Sequence, residues 1–436
     1  MKFGTNTRKL LCLLLAIMML LLVSCKGEST TPSGGVEDPS GITSSDPLIP
    51  DPITVTVGAT GDYLIHTPII TSYRGADGSY DFSDIFKYVT EYYNKFDYFV
   101  GNLEVTFGKD YTNYKGTGAI FNCPDSLADA LKNAGVDMLL TANNHSYDTS
   151  SFGFHRTQEV LAQKGLEYIG THADGAKNYK VVDLNGIKIG MINYTYQTSL
   201  APTYSLNGIT VKGEDTDNIN TFAGGQLDEF YNEMQQNLNN MYADGAEAIM
   251  LYIHWGNEYH ENPDDLQKQI AQKMCDMGVD VIVGGHPHVV EPIDILSSEV
   301  SGKQTVCIYS TGNAVSNQRI AAMPNTSKKF PNVAKGATED GIIFSVSFTK
   351  LGTGEVYVSA IDAMPTWVNM YYEGGINHYQ IIPLDTAKDF GTSFNLSAVA
   401  NGPTLAMNSY NRTMALVGEG LQKFETDYKT ADTRNK

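Results

Sequence analysis

Cysteine is scarce in this chain of 436 residues: five in all, with no Cys-x-x-Cys pair and no Cys/His zinc-knuckle spacing. Cys12 and Cys25 fall at the N-terminus, leaving Cys123, Cys275 and Cys307, an odd and widely spaced set that excludes a disulfide framework. Cys307 sits in the apolar run Val306-Cys307-Ile308-Tyr309 and reads as a small buried residue. Positive charge is also short. Lys and Arg number 30 against 49 Asp and Glu, a net charge of −19, which argues against nucleic acid as a partner and against attraction to an anionic membrane surface. No Gly-x-Ser-x-Gly elbow or paired Cys/His nucleophile is present. No internal repeat or Pro/Gly-rich break divides residues 53–425, and a composition 42% hydrophobic and 18% charged implies one sizeable core.

What is there begins with Lys2, Arg8 and Lys9 ahead of an apolar run of 14 residues, 10–23, the length of a signal-peptide core and short of the ~20 a spanning helix needs. The run ends in Leu22-Val23-Ser24-Cys25, which resembles a bacterial lipobox. Residues 1–24 are then a lipoprotein signal peptide and Cys25 the lipidated mature N-terminus, on the extracytoplasmic face of the membrane. Removing that segment takes away three cations and no acid, moving the net charge from −19 to −22. Residues 25–52, mostly Ser, Thr, Pro, Gly and Asp, read as a flexible tether.

Beyond it, short β-branched runs alternate with helix-like segments: 53–59 then 83–95, 98–100 then 124–134, 137–140 then 152–164. Helices near 227–242 and 266–277 precede strands at 248–253 and 279–283. Residues 342–349 and 355–361 alternate like a half-buried hairpin around Leu351-Gly352-Thr353-Gly354. The pattern predicts a mixed α/β domain over 53–395, with sheet packed on sheet, and a C-terminal helical segment and tail over 396–436.

Nearly every apolar strand ends in polar, metal-capable residues: Gly61-Asp62, Gly101-Asn102-Leu103-Glu104, Asn143-Asn144-His145, His254-Trp255-Gly256, Gly285-His286-Pro287-His288 and Gly312-Asn313. Loops beyond the carboxyl ends of strands share one edge of an α/β sheet, so these segments are expected to converge. Four His, two carboxylates and an Asn suit Mn, Fe or Zn. Pro287 restricts the backbone between two imidazoles and presents both from a constrained turn. Alone, His254 reads equally as a hydrogen-bonded core His, Glu104 as a salt-bridge partner, Asn313 as a turn residue and Asp148 as the N-cap of the next helix. His155, His172, His260 and His378 read as surface or structural. Tyr92 and Tyr93 fall in an amphipathic segment, where packing accounts for them.

In order, Gly61-Asp62, Asn102-Leu103-Glu104, Ala142-Asn143-Asn144-His145 with Asp148, His254-Trp255-Gly256-Asn257-Glu258-Tyr259, Gly285-His286-Pro287-His288 and Tyr309-Ser310-Thr311-Gly312-Asn313 resemble the motifs of poly-γ-glutamate capsule-biosynthesis proteins of the CapA/PgsA type. The resemblance runs over about 53–318, with a weaker echo at Pro365-Thr366-Trp367-Val368. It implies a four-layer αββα sandwich of the calcineurin-like metallophosphoesterase type binding one or two divalent ions. Glu104 would be the bridging carboxylate, with Asn144, His254 and His286 completing one metal site and Asp62 and His288 serving the other. His145 would face the substrate.

One departure stands out: the usual Asp-x-His would need His at position 64, where this chain has Leu64. The Asp62 site must borrow His66 or a water, or hold its ion loosely; Asn102 and Asn313 are further candidates. The implied function is synthesis, retention or export of an anionic capsule polymer. The alternatives are a metal-dependent hydrolase of phosphoesters or amides and a scaffold for membrane synthase subunits. The charge of the mature chain disfavours extended polyanion binding, but screening shortens that repulsion to ~8 Å and leaves a compact metal site able to hold one carboxylate.

Overall fold

The computed structural model describes residues 50–109, 113–118, 120–200, 203–319 and 333–428. The signal segment, Cys25 and most of the tether lie outside the described residues. No described helix is long and apolar enough to cross a membrane.

In chain order the first strands are β1 (Ile53–Tyr63), β2 (Tyr98–Leu103), the small pair β3 (Lys115–Thr117) and β4 (Ile120–Asn122), β5 (Met138–Leu140) and β6 (Glu167–Ile169). Then come β7 (Lys180–Leu184), β8 (Ile187–Tyr196), a second small pair β9 (Ser205–Leu206) and β10 (Ile209–Thr210), and β11 (Thr221–Phe222). The last are β12 (Ala248–His254), β13 (Val281–Gly285), β14 (Ile293–Ser297), β15 (Gln304–Ile308), β16 (Asn313–Val315), β17 (Asp340–Lys350), β18 (Val356–Glu373) and β19 (Ile376–Pro383). The longer helices are α1 (Ser126–Ala134), α2 (Ser150–Lys164), α3 (Leu227–Ala243), α4 (Asp265–Asp276) and α5 (Gly402–Lys423).

Two mixed sheets result. The first runs β19-β18-β17-β1-β2-β5-β6, with β16 also beside β1; the second runs β11-β8-β12-β13-β15-β14, with β7 on β8. In the first, β1, β2, β5 and β6 run parallel and β1, β17, β18 and β19 antiparallel; in the second, β11, β8, β12, β13 and β15 run parallel, with β7 and β14 added antiparallel. Parallel strands buried on both faces need continuous apolar runs, and β12 shows why. Its Met250 and Tyr252 point between the sheets against Val55, Val57 and Val100, while Ile249, Leu251 and Ile253 pack outward with Phe230, Met234 and Ile270. The outer face of the first sheet is covered by Leu127, Leu131 and Leu161 of α1 and α2. Helix, sheet, sheet and helix therefore form four layers, the αββα sandwich that the resemblance implied. Each large aliphatic side chain so buried contributes ~1.5–3 kcal/mol.

Both α1 and α2 stop at a left-handed glycine, Gly135 and Gly165, which closes the last turn without a Cβ penalty. Residues 83–95 do not form the expected helix. They make a 3-10 turn, Ser83–Phe86, and one helical turn, Thr90–Tyr93. Aromatic and β-branched residues are poor helix formers, and here burial of Ile85, Phe86, Val89, Tyr92 and Tyr93 sets the path. The expected C-terminal hairpin is present and longer than its pattern suggested, because β18 continues to pair with β19. Helix α5 adds Val417 to the core between the sheets, and its Arg412 pairs with buried Asp340 at 2.7 Å.

Candidate functional site

The strand ends meet at one place between the two sheets. β1 leaves its pairing with β17 at Thr60 and is taken up by β16, so that Asp62 stands opposite Asn313 with a shift of register. A Cβ on Gly61 would lie 1.8 Å from the Gly312 carbonyl oxygen, so this handover needs a residue without a side chain. On the other side, Asn102 Nδ2 donates to Asp62 Oδ1 at 2.7 Å. Asn143 braces Asn102, donating to its Oδ1 at 3.1 Å and to the Leu103 carbonyl at 2.8 Å. Glu104 follows directly after β2 and is fully buried.

The imidazoles come from the second sheet. His254 ends β12, with Nε2 2.8 Å from Asn144 Oδ1 and 3.5 Å from Glu104 Oε1. His288 Nδ1 lies 3.1 Å from Asp62 Oδ2, and its Nε2 lies 3.9 Å from Glu104 Oε1. His286 and His288 flank Pro287 with φ of 100° and 57°, left-handed conformations costing ~1–3 kcal/mol each. Fixed partners hold that strained turn: Tyr259 N–H donates to the Pro287 carbonyl at 2.8 Å, and Asn313 Nδ2 donates to the His288 carbonyl at 3.1 Å.

Ligand-capable atoms fall into two groups, Glu104 with His254 and His286, and Asp62 with Glu104 and His288; within each group they lie within 4.8 Å of one another. Glu104 belongs to both. Neither of its oxygens has a hydrogen-bond partner, and nor does His286 Nδ1. Burying an uncompensated carboxylate costs several kcal/mol, which either a proton or a cation relieves, and this donor set is compatible with a divalent cation. Asn144 Oδ1, at His254, adds a neutral oxygen to the first group.

The electrostatics follow the same lines. Burial, with repulsion from Asp62, Glu258 and Asp148, pushes the Glu104 carboxyl well above its ordinary range. Burial lowers His254 to about 3 despite the Asp62 charge, and burial with the neighbouring imidazoles lowers His286 further below its ordinary value. Burial also opposes charge on Asp62 and His288, but their mutual hydrogen bond and attraction prevail, holding Asp62 below and His288 above their usual values. His254 and His286 are thereby kept neutral, as a metal ligand must be, while Glu104 and the Asp62–His288 pair would give up protons on binding a cation.

His145 stands apart from both groups. Its Nδ1 lies 2.8 Å from Asp148 Oδ2, which also accepts the Phe121 N–H at 2.6 Å. Asp148 therefore does not cap α2, as its position suggested: Thr149 is the N-cap and makes no side-chain bond. The carboxylate fixes the orientation of the imidazole through Nδ1. His66 does not bend back towards Asp62. Its Nδ1 lies 3.1 Å from the Leu64 carbonyl and 3.3 Å from Asn317 N, its ring is edge-on to Phe121, and it joins neither group. Leu64 is packed in the apolar core.

Three contributors were given no role by the sequence, although Asn143 stands in one of its motifs. Asn143 holds Asn102, Tyr196 places its ring 4.8 Å from His286, and Asn207 brings its amide nitrogen to 3.4 Å from both ring nitrogens of His145. Two left signals. Tyr196 ends β8 as His254 ends β12, and Asn207-Gly208 between Leu206 and Ile209 is a strong two-residue hairpin pattern.

Comparison with known proteins identifies the family. The chain matches the family described as bacterial capsule synthesis protein PGA_cap over residues 56–318. It is 27% identical over 337 residues to the PGA biosynthesis protein CapA of Bacillus subtilis, covering 76% of each chain. It is 27% identical over 271 residues to the capsule biosynthesis protein CapA of Bacillus anthracis, covering 61% of this chain and 60% of that one. Among solved structures, the NAD nucleotidase NadN of Haemophilus influenzae aligns over 88% of this chain and 68% of its own, with 13% identity and a TM-score of 0.42. The family match spans every strand end from Asp62 to Asn313, and the chain belongs to the PGA_cap family of bacterial capsule synthesis proteins.

Proposed function

We propose that this protein is a surface-anchored lipoprotein acting in synthesis, retention or export of an anionic capsule polymer, with poly-γ-glutamate as the polymer, through a divalent-metal site centred on Glu104. The observation that carries the metal reading is the buried Glu104 carboxylate, without a hydrogen-bond partner and shared by two groups of ligand atoms. The polymer is taken from the names of the relatives and from the family. Glu104, His254, His286 and Asn144 would hold one ion, and Asp62, Glu104 and His288 a second. Bound there, a divalent ion supplies Lewis acidity and lowers the pKa of a coordinated water towards ~7.

The chain's own residues supply the rest. Asn102 and Asn143 fix the Asp62 carboxylate, and the strained His286-Pro287-His288 turn fixes two imidazoles. Cys25 would carry the lipid, and residues 26–52 would hold the folded part clear of the membrane. Synthase membrane subunits are the partners this placement favours.

A second reading, hydrolysis of a phosphoester or amide, is favoured by one observation: Asp148 orients His145 with Nε2 directed away from the pair. In that role His145 would hand a proton from Nε2 to a leaving group. Three experiments separate the readings. Elemental analysis of the full chain, purified without chelator, is expected to find one or two transition-metal ions per chain; finding none sinks the metal site. A chromogenic phosphodiester with Mn should be cleaved if the hydrolase reading holds, and His286→Ala should abolish cleavage. A capsule defect rescued equally by wild type and His286→Ala would leave the scaffold reading. Cys25→Ala should release the protein from the membrane fraction.

A further inference from the structure

A second pocket, of about 620 Å³, lies where β18 and β19 meet the segment before α5. That volume is in the range that holds a ligand of a few rings. Its wall includes Tyr88, Trp367, Tyr372 and Phe394, and none of its residues belongs to the metal-ligating groups. Trp367 is the one residue of the Pro365-Thr366-Trp367-Val368 motif that lines it, and nothing in the metal site uses that motif.

The polar frame is fixed. Trp367 Nε1 donates to Glu339 Oε2 at 3.1 Å, and the same oxygen pairs with Arg319 Nη1 at 3.2 Å. Both terminal nitrogens of Arg319 donate to the Val368 carbonyl at 3.1 Å. Two atoms of this wall have no protein partner, Arg319 Nε and Asn369 Oδ1, on residues 8% and 1% exposed. Both atoms are shut off from the pocket space, so the polar groups a ligand meets are the accessible ones of the same wall, Lys87, Glu339, Glu373 and Asn395, which between them donate and accept. At the mouth, Tyr372 is 72% exposed, which presents an aromatic face to solvent at the rim. Tyr88 stands edge-on to the buried ring of Phe394 at 5.5 Å.

The charges decide the class of ligand. Lys87 and Arg319 are balanced by Glu339 and Glu373, so the pocket has no net attraction for a polyanion. An acyl chain would strip water from the partly exposed Glu339 without replacing its hydrogen bonds. Aromatic surface alternating with planar donors and acceptors of both kinds matches a neutral polyhydroxylated ring, whose C–H faces stack while its rim hydrogen-bonds.

We propose that this pocket binds an uncharged saccharide. It adjoins the metal site through one short link. Asn313, which holds the His288 carbonyl, also donates to Gln318 Oε1 and the Thr338 carbonyl at 3.0 Å each. The next residues in the chain, Arg319 and Glu339, are the pocket's polar frame.

The test uses the full chain and two neutral tetrasaccharides, chitotetraose and cellotetraose, followed by tryptophan fluorescence and calorimetry. The chain has two Trp, Trp255 and Trp367, so Trp367→Phe assigns the optical signal. Saturable binding of either sugar is expected, weakened about tenfold by Tyr372→Ala, the loss of ~1.4 kcal/mol of stacking. Tyr372 is exposed, so that variant keeps its fold. No saturable binding of either sugar overturns the proposal. So does poly-γ-glutamate or a phosphatidylglycerol vesicle binding with the same sensitivity to Tyr372→Ala. None of these outcomes depends on metal content or hydrolysis.

Discussion

Glu104 and Glu291 are both fully buried glutamates, and each has at least one carboxylate oxygen without a partner. Their surroundings differ. Glu104 faces His254, His286 and His288, with Asp62 on the same cluster. Glu291 accepts one bond, from Gln267 Nε2 at 2.7 Å, and burial pushes its carboxyl up to about 8. Gln267 itself belongs to the capping box that starts α4 with Asp264. Burial of an unpaired carboxylate is therefore not a metal site in itself. Both can be neutral acids, but only Glu104 has imidazoles and a second carboxylate gathered around it, the donor set that a cation could use.

The largest effect that can break this contrast is at the shared ligand. Glu104→Gln is expected to weaken metal binding at both groups by on the order of 100-fold or more, read as ions per chain after dialysis. The apo fold should lose nothing, because an uncompensated buried carboxyl is replaced by an amide of the same shape. A variant that keeps two ions would remove Glu104 from the centre of the site.

The next effect sets the two halves of the cluster against each other. His286→Ala should empty the group that has three ligands besides Glu104's shared oxygens, counting Asn144 and His254, and leave the weaker Asp62 group. His288→Ala should do the reverse and cost less metal, because the Asp62 group has no imidazole from position 64. Equal losses would show that the Leu64 departure does not matter.

Glu291 gives the third prediction, a pH dependence. Its folded pKa of about 8 lies above the ordinary 4.5. A raised folded pKa contributes stability that is complete below the unfolded value and is lost as pH rises through the folded one. Between pH 6 and pH 9 the wild type should therefore lose ~2–3 kcal/mol through this group. Glu291→Gln can still accept from Gln267 and should flatten that decline, as followed by thermal unfolding at each pH. An unchanged slope would mean that Glu291 is charged in the fold.

The sequence carried much of the site, for a physical reason. Ligands at strand ends are announced by the apolar run before them, so Asp62, Asn144, His254, His286 and His288 were legible one by one, and their convergence followed from the edge rule for α/β sheets. The cost of burial alone does not single out Glu104, since Glu291 bears a similar penalty without imidazoles. Asp148 was misread because Asp just before a helix suits a cap, and only the fold shows that Phe121 and His145 claim its oxygen. The short path over residues 83–95 was hidden for a similar reason: tertiary burial of its aromatics overrode the helical period. Asn207 was hidden because its partner is 62 residues away, although Asn207-Gly208 already marked the turn.

That hairpin provides the smallest expected effect. It is not free to swing: Leu206 is buried with Tyr147 and Phe154, and Asp215 accepts bonds from both Tyr147 Oη and His155 Nε2, tying the segment beyond β10 to the helix after His145. Asn207 therefore sits as a fixed wall beside the His145 ring, which in the hydrolase reading would face substrate. His145 Nδ1 is already committed to Asp148, so the Asn207 amide is not needed to orient the ring and is available to the ligand. Asn207→Ala should leave thermal stability within ~0.5 kcal/mol. If the protein cleaves a chromogenic diester, KM should rise about threefold to tenfold, the loss of one hydrogen bond, with kcat nearly constant. A fall in kcat at constant KM would instead place Asn207 with Asp148 as a residue that positions His145.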